Sequence, residues 1–508
     1  MKPSTRARLL WLGCLGLVFA FAIVARIHHI SDPPLDFHPT LQFRAALLAR
    51  HYYFRQSPSV PQWRRELAAR NASERYEFPL MQYSAAIAYR LSGGEDLRIP
   101  RLMSVAAWLV GGVLLFAAAR KISSPTGALI ATSFFLLCPF GVSASRAFYP
   151  DALMVALLVL SYLVLLHYGE RGGLALAILA GAVGGASGLV KPKVIVQVAF
   201  GFAAVWLARR GYRKRNEVVQ FAAFVIVAAG IAFPYYVLEA LRTGILGGVA
   251  EQSFVPRLLL TAAFWRGWID QIWKVVGFAP PLAALLGFLA LPRGSAKALL
   301  AGLASGFFAY GVLFSYPIFT HDYYNLQLVP LVALAMAPLA ARIFDRLREG
   351  SLVPGLATPA VLAVLLLGAV VHLAADSYYQ RWGTSFTAEA ETYRRVGELV
   401  NHGADNVLLA NYYAYPLKYY GEVGGTYWPH SFDFWQGRLK GSEPQAAAER
   451  LRSMCKEGNF RFFIVTNLPE LHLQPKLEAL LAQSYAVFAA ERDFIIYDLT
   501  APRNAAGS

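Results

Sequence analysis

The sequence predicts a mainly α-helical, polytopic membrane protein with about eleven transmembrane helices. Interfacial helices are expected in its first external loop, and a small α/β extramembrane domain at its C-terminal end. Three observations predict this. Of 508 residues, 56% are hydrophobic and only 15% charged, against about 25% charged in soluble domains. Apolar stretches long enough to cross a bilayer recur as far as residue 375. The formal charge of +16 gathers in short turns between those stretches. That is the positive-inside pattern, which orients a membrane protein and argues against a nucleic-acid partner.

The first stretch, 8–27, follows Lys2, Arg6 and Arg8. It has the look of a signal core, but no small-residue cleavage site follows, so it reads as an uncleaved span. The others are 100–119, 124–142, 149–168, 173–190, 194–209, 217–240, 275–291, 296–316, 324–345 and 353–375. With the N-terminal cations inside, the cytoplasmic turns carry Arg120-Lys121, Glu170-Arg171, Arg209-Arg210 through Lys214-Arg215, Arg293 with Lys297, and Arg342 through Arg348. The outer side then receives loop 28–99, loop 143–150, Lys191-Pro-Lys193, segment 241–274, loop 320–324 and the tail. Lys191 and Lys193 depart from the charge bias, which invites a functional reading.

In the first external loop, prolines 33, 34 and 39 stiffen a segment holding Asp32, Asp36 and His38. Residues 40–54 then form an amphipathic pattern, with Leu41, Ala45, Leu48 and Tyr52 near one face and Arg44 among the polar positions. Segment 254–274, rich in Trp265, Trp268 and Trp273, suits the headgroup region. The glycine run 181–188 superficially resembles a dinucleotide fingerprint, but it lies within a span, where close helix packing is its use. Cys14 and Cys138 lie in spans and Cys455 in the tail, so neither a disulfide framework nor a zinc spacing is present.

Two domains are expected, 1–376 in the membrane and 377–508 outside it. In the tail, helices are read at 388–403, 445–455 and 474–484. Strands are read at 406–410, 460–466, 485–488 and 494–499. The aromatic patch around 411–428 suits either sugar stacking or an ordinary core.

Polar groups collect at the outer membrane boundary: Asp32, Asp36, His38 and Arg44, then Glu77, Arg101, Arg146 and Asp151, then Lys191, Lys193, His321, Tyr323 and Tyr324. Ionisable groups at this depth are costly and usually serve a purpose. Carboxylates can take a proton from a hydroxyl, and lysine or arginine can hold a phosphate. Together they describe group transfer in which a phosphate is the leaving group or anchor, a lipid phosphate being the natural one at this depth. Plainer readings exist for single members: Asp151 as a carboxylate at a helix start, Arg101 as a snorkelling cation. Asp36-Phe-His38 could also ligate a divalent metal, although two ligands make weak evidence.

The order of these features resembles the C-type superfamily of integral-membrane glycosyltransferases, in the branch of protein O-mannosyltransferases and bacterial transferases of aminoarabinose to lipid A. The resemblance covers about residues 5–345. The acid after span one falls at Asp36, with Asp32 as the other candidate. Glu77-Phe-Pro-Leu80, Arg101-Leu-Met-Ser104, Pro150-Asp-Ala-Leu153, Gly188-Leu-Val-Lys191 and His321-Asp-Tyr-Tyr-Asn-Leu-Gln-Leu-Val-Pro330 follow in the family's order. Two departures stand out. Asp36-Phe37 replaces a paired Asp-Glu, and Phe78 stands near the place where some relatives carry lysine.

The resemblance implies inverting transfer of one sugar from a polyprenyl-phosphate donor to a hydroxyl of a glycan, lipid or protein at the external face. Asp36 would be the base and Asp151 an orienting carboxylate. Lys191, Arg101, Lys193 and Arg44 would hold the donor phosphate. Glu77, His38, His321, Tyr323 and Tyr324 would bind substrate. No cofactor is required on this reading, with a divalent metal kept open. The protein is expected to act as a monomer in a bacterial inner membrane, with active site and tail in the periplasm. The competing readings are a flippase for a lipid-linked sugar, which would need polar residues through the midplane and repeated halves, and a scaffold, which would not need these charges on one surface.

Overall fold

A computed structural model describes residues 5–72, 77–243, 253–349, 368, 386–439 and 445–502. The chain forms two compact units. One comprises Met1–Ile30, Arg75–Met81 and Arg98–Trp382, the other Ser31–Glu74, Gln82–Leu97 and Gly383–Ser508. Most of the first external loop thus groups with the C-terminal residues. The boundary expected at 376/377 lies outside the described residues.

The first unit is helical. Among the described residues, five helices are long and apolar enough to cross a membrane: Arg98–Ile122, Asp151–Arg171, Arg215–Arg242, Ser295–Leu313 and Leu328–Arg346. Two bent pairs add to these, Pro125–Leu137 with Pro139–Ser145 at 58° and Ala262–Val276 with Ala279–Ala290 at 88°. Trp11–Ile27, Leu174–Val190 and Val194–Ala208 are shorter apolar helices. The first ten expected stretches therefore fold as helices or parts of bent pairs, and 353–375 lies outside the described residues. The first bend falls at Cys138-Pro139, where proline cannot continue the hydrogen-bond ladder. The aromatic segment becomes the helix Ala262–Val276, burying Phe264 and Trp268 and exposing Trp265 and Trp273.

Helix Leu174–Val190 packs on Arg215–Thr243, and Val194–Ala208 on Ser295–Leu313. The first contact depends on glycine. A Cβ on Gly181 would lie 2.8 Å from the Phe224 carbonyl oxygen, and one on Gly185 2.8 Å from that of Ala228. The glycine run serves helix approach.

The second unit is built on a five-stranded sheet: β1 (Asn406–Leu409), β2 (Thr426–Tyr427), β3 (Phe462–Val465), β4 (Tyr485–Glu491) and β5 (Phe494–Pro502), in the order β2-β1-β3-β5-β4. β1 runs parallel to both β2 and β3, whereas β5 is antiparallel to β3 and β4. β1 and β3 are buried throughout, as expected when helices cover both faces of parallel strands. Alternate side chains define two cores. Leu408, Ile464 and Ile496 meet Tyr393, Val396 and Leu417 on one face. Val407, Leu409, Phe463 and Val465 meet Leu451, Leu477 and Leu481 on the other.

The helix Pro39–Arg55 of the first loop packs on Tyr415–Tyr420 of this unit. Arg50 is the tie. Its Nε donates to Glu95 at 3.0 Å, its Nη1 to the Tyr419 carbonyl at 2.6 Å, and its guanidinium lies 3.8 Å from the Tyr419 ring centre. Tyr419 Oη in turn donates to Glu95 at 2.6 Å. Arg64 pairs with Glu422, and Arg70 with Asp405.

Candidate active site

Lys191 and Lys193 sit in the link between the helices Leu174–Val190 and Val194–Ala208. Lys191 is 2% exposed. Its Nζ lies 3.1 Å from Glu77 Oε1 and 3.1 Å from Asp151 Oδ2. The Tyr149 ring centre is 3.9 Å from the same ammonium, and Tyr149 Oη donates to Glu77 Oε1 at 3.1 Å. Asp151 reaches this point because Pro150 starts its helix and leaves the acid in the first turn. Glu77 is held by its own backbone, whose carbonyl accepts from Tyr235 Oη at 3.3 Å. Burial would lower the Lys191 ammonium, but Asp151 and then Glu77 outweigh it and hold the group well above the usual lysine range.

Lys193 is differently placed. It is buried, its Nζ lies 3.9 Å from the Tyr324 ring centre, and Tyr323 and Tyr310 stand farther off at 5.8 and 6.0 Å. Burial, and then the Lys191 charge, pull it down to about 7. The 321–325 turn presents Tyr323 and Tyr324 because Asn325 anchors it, accepting from Trp268 Nε1 at 3.0 Å and donating to the Ile318 carbonyl at 3.0 Å. His321 Nδ1 lies 2.7 Å from Thr320 Oγ1, and its ring packs near those of Tyr323 and Tyr324.

A second cationic group in this unit comprises Arg26, Arg101 and Arg146, all at most 1% exposed. Arg26 Nε donates to Ser145 Oγ at 2.7 Å. Arg101 donates to the carbonyls of Arg146 and Ile30 at 3.3 and 2.6 Å, and Arg146 to that of His29 at 2.7 Å. Arg26 escaped the sequence reading. The available signal was an arginine inside an otherwise apolar stretch, a position that needs a purpose.

The first-loop residues belong to the other unit. Gln42 Nε2 staples their loop by donating to the carbonyls of Phe37 and Pro34 at 2.6 and 3.2 Å. Asp36 is buried, while Asp32 and His38 are half-buried. His38 takes a left-handed backbone, φ 42°, before Pro39 opens the helix. Arg44 lies on that helix, partly buried. Among the described residues no three His, Cys, Asp or Glu side chains converge as a metal site, so Asp36 and His38 gain no third ligand there.

The structure therefore gathers Glu77, Asp151, Lys191, Lys193 and Tyr324 within one unit, with Arg101 in its arginine group. A lysine paired with two carboxylates and a second lysine beside it can meet the negative charge of a phosphate ester.

Residues 77–237 match the family of dolichyl-phosphate-mannose-protein mannosyltransferases. No curated protein matches the chain. Among solved structures, ArnT from Cupriavidus metallidurans bound to undecaprenyl phosphate is 14% identical, with a TM-score of 0.59 over 97% of this chain and 98% of that one. The archaeal oligosaccharyltransferase AglB from Archaeoglobus fulgidus, in complex with an inhibitory peptide and a dolichol-phosphate, is 13% identical, with a TM-score of 0.52 over 99% of this chain and 77% of that one. The family model thus matches about a third of the chain, and the fold is similar to these solved structures over nearly its whole length.

Proposed function

We propose that this protein transfers a single sugar from a polyprenyl-phosphate carrier to a hydroxyl of a glycan, lipid or protein, with inversion. The reaction takes place at the external face of a bacterial inner membrane crossed by about eleven helices. The observation that carries the proposal is the buried Glu77–Lys191–Asp151 ion cluster with Lys193 beside it. An ion cluster of this kind serves no packing purpose that apolar residues would not serve better.

In the proposed reaction the acceptor oxygen forms a bond to the anomeric carbon as the bond from that carbon to the phosphate oxygen breaks. The bonding pair leaves with the lipid phosphate. Asp36 takes the acceptor proton, with Asp32 as the alternative base. A carboxylate serves because the hydroxyl proton becomes acidic late in the transition state. Lys191, Lys193, Arg101 and Arg44 stabilise the leaving phosphate, whose charge grows as the bond breaks. Glu77 and Asp151 keep Lys191 protonated until the phosphate takes over part of its coordination. Tyr323, Tyr324, His321 and His38 flank the sugar. No step needs a cofactor.

The test is release of labelled sugar from a panel of synthetic polyprenyl-phosphate sugars by protein in detergent, with Asp36→Asn, Lys191→Ala and an EDTA arm. Transfer that collapses in folded Asp36→Asn supports the reading. Loss of transfer with EDTA would place a divalent ion in the reaction. Failure to release lipid phosphate from any donor, with lipid-linked sugar crossing proteoliposomes instead, would replace it with transport.

A further inference from the structure

The C-terminal sheet has a topological switch point. The chain leaves β1 towards β2 on one side and later returns to β3 on the other, all three strands running parallel. In open sheets of this kind ligands bind outside the carboxyl ends of the strands at such a point. Here the loops leaving β1 and β3 are tied together by Asn467 Nδ2, which donates to Asn411 Oδ1 at 2.7 Å. Beside that pair the backbone is strained. Tyr412, Tyr413 and Ala414 have φ of 56°, 57° and 60°, three successive left-handed residues without a glycine. Each is disfavoured by about 1–2 kcal/mol, and such strain concentrates at functional sites.

The strained turn leaves the Tyr413 ring 44% exposed. It lies 4.9 Å from that of Tyr427 at the end of β2, and both hydroxyls donate to Asp433, at 3.3 and 2.7 Å. On the helix that follows, Phe432 and Trp435 stack on each other at 5.4 Å while remaining 57% and 52% exposed. Two buried polar atoms on these same loops, His430 Nε2 and Thr466 Oγ1, have no hydrogen-bond partner among the described residues. Such groups find a partner in an ordered water or in a ligand.

The chemistry of this ledge selects its ligand. Its acidic members, Asp433 and Glu470, disfavour a phosphate or an acidic peptide beside Tyr413, whereas Arg438 and Arg450 stand farther along, at the last turn of the helix and over Phe434. Exposed aromatic faces beside amides and hydroxyls suit a neutral polyhydroxyl ring, whose C–H face stacks while its hydroxyls pair with planar groups. We propose that the carboxyl ends of β1, β2 and β3 form a saccharide-binding site, with Tyr413 as its stacking platform and Asn411, Asn467 and His430 as hydrogen-bonding partners. Assigning its occupant as the glycan acceptor rests on the proposed function. The site itself shares no residue with the transfer machinery.

The test uses full-length protein in detergent, titrated calorimetrically with short neutral gluco-, manno-, galacto- and arabino-oligosaccharides, with phosphatidylglycerol vesicles as a separate arm. At least one oligosaccharide is expected to bind, and its Kd to rise about tenfold in Tyr413→Ala and in Tyr413→Leu, which fills the turn without an aromatic face. Tyr413→Phe keeps the aromatic face and is expected to bind as the wild type does, which separates lost stacking from a disturbed turn. No binding to any oligosaccharide, binding unchanged in both Tyr413→Ala and Tyr413→Leu, or vesicle binding that these two variants abolish would each overturn the proposal. The readout is binding, so transfer assayed in parallel separates the two ideas. Binding without transfer removes the proposed function and keeps this site. Transfer without binding does the reverse.

Discussion

Taking the Lys191 ammonium out of water is unfavourable by several kcal/mol, and Glu77 and Asp151, each 3.1 Å away, offset that loss. Lys191→Met should therefore destabilise the protein by about 3–5 kcal/mol by stranding the buried Asp151 carboxylate and the half-buried Glu77. Adding Glu77→Gln and Asp151→Asn should restore most of that stability and none of the transfer activity. Recovery of both would make the cluster structural only, and thermal melts run beside the transfer assay distinguish the two. Lys193 makes a pH prediction. With its ammonium pulled down to about 7, it is a cation below that pH and neutral above it. If it holds donor phosphate, the donor KM rises as the pH is raised through 7. Lys193→Arg, charged throughout, should abolish the rise. A wild-type KM that is flat between about pH 6 and 8 would contradict this role. At this scale the sequence reading named Glu77, Asp151 and Lys191, and each carried its own signal, an ionisable group at a predicted membrane boundary. That the three share one ion cluster has no local signature, because 114 positions separate Glu77 from Lys191.

Among the elements, two packing contacts make predictions. Gly185→Leu drives a side chain into the Ala228 backbone, whose carbonyl oxygen would lie 2.8 Å from the new Cβ. The helices Leu174–Val190 and Arg215–Thr243 must then separate, displacing the link that holds Lys191 and Lys193. Folded yield in detergent should fall sharply, whereas Gly13→Leu, which meets nothing within 4 Å, should leave it unchanged. The second contact is Arg50, whose side chain is 9% exposed against Glu95 at 14%. Arg50→Ala should weaken the docking of Pro39–Arg55 on the sheet unit by about 3–5 kcal/mol and speed proteolysis of the tail, and unaltered cleavage would refute it. Element identity was largely legible. The expected helix 40–54 is Pro39–Arg55, and the strands read at 406–410 and 460–466 are β1 and β3. Thr426–Tyr427 was missed because a two-residue strand has no periodicity to read. Ser431–Leu439 was missed because its aromatic residues mimic a loop patch.

For the whole molecule, the charge bias predicts the orientation, and the protein holds its own reporter. Cys455 is exposed in the sheet unit, while Cys14 and Cys138 are buried. A membrane-impermeant maleimide should label Cys455 in intact spheroplasts without lysis. Labelling that appears only after lysis would place the tail inside and reverse the proposed topology.

Hydropathy and charge bias by themselves determined that this chain is a polytopic membrane protein, where its apolar helices lie and that an α/β unit follows them. These are local properties, set by side-chain transfer free energies and backbone periodicity within a few turns. The partners were decided by tertiary structure: Lys191 with two carboxylates, the first loop with the tail through Arg50, and Asn411 with Asn467 across the switch point. Which buried charge or amide finds which partner depends on how distant elements pack, and a buried polar group is stable only where that packing supplies its match.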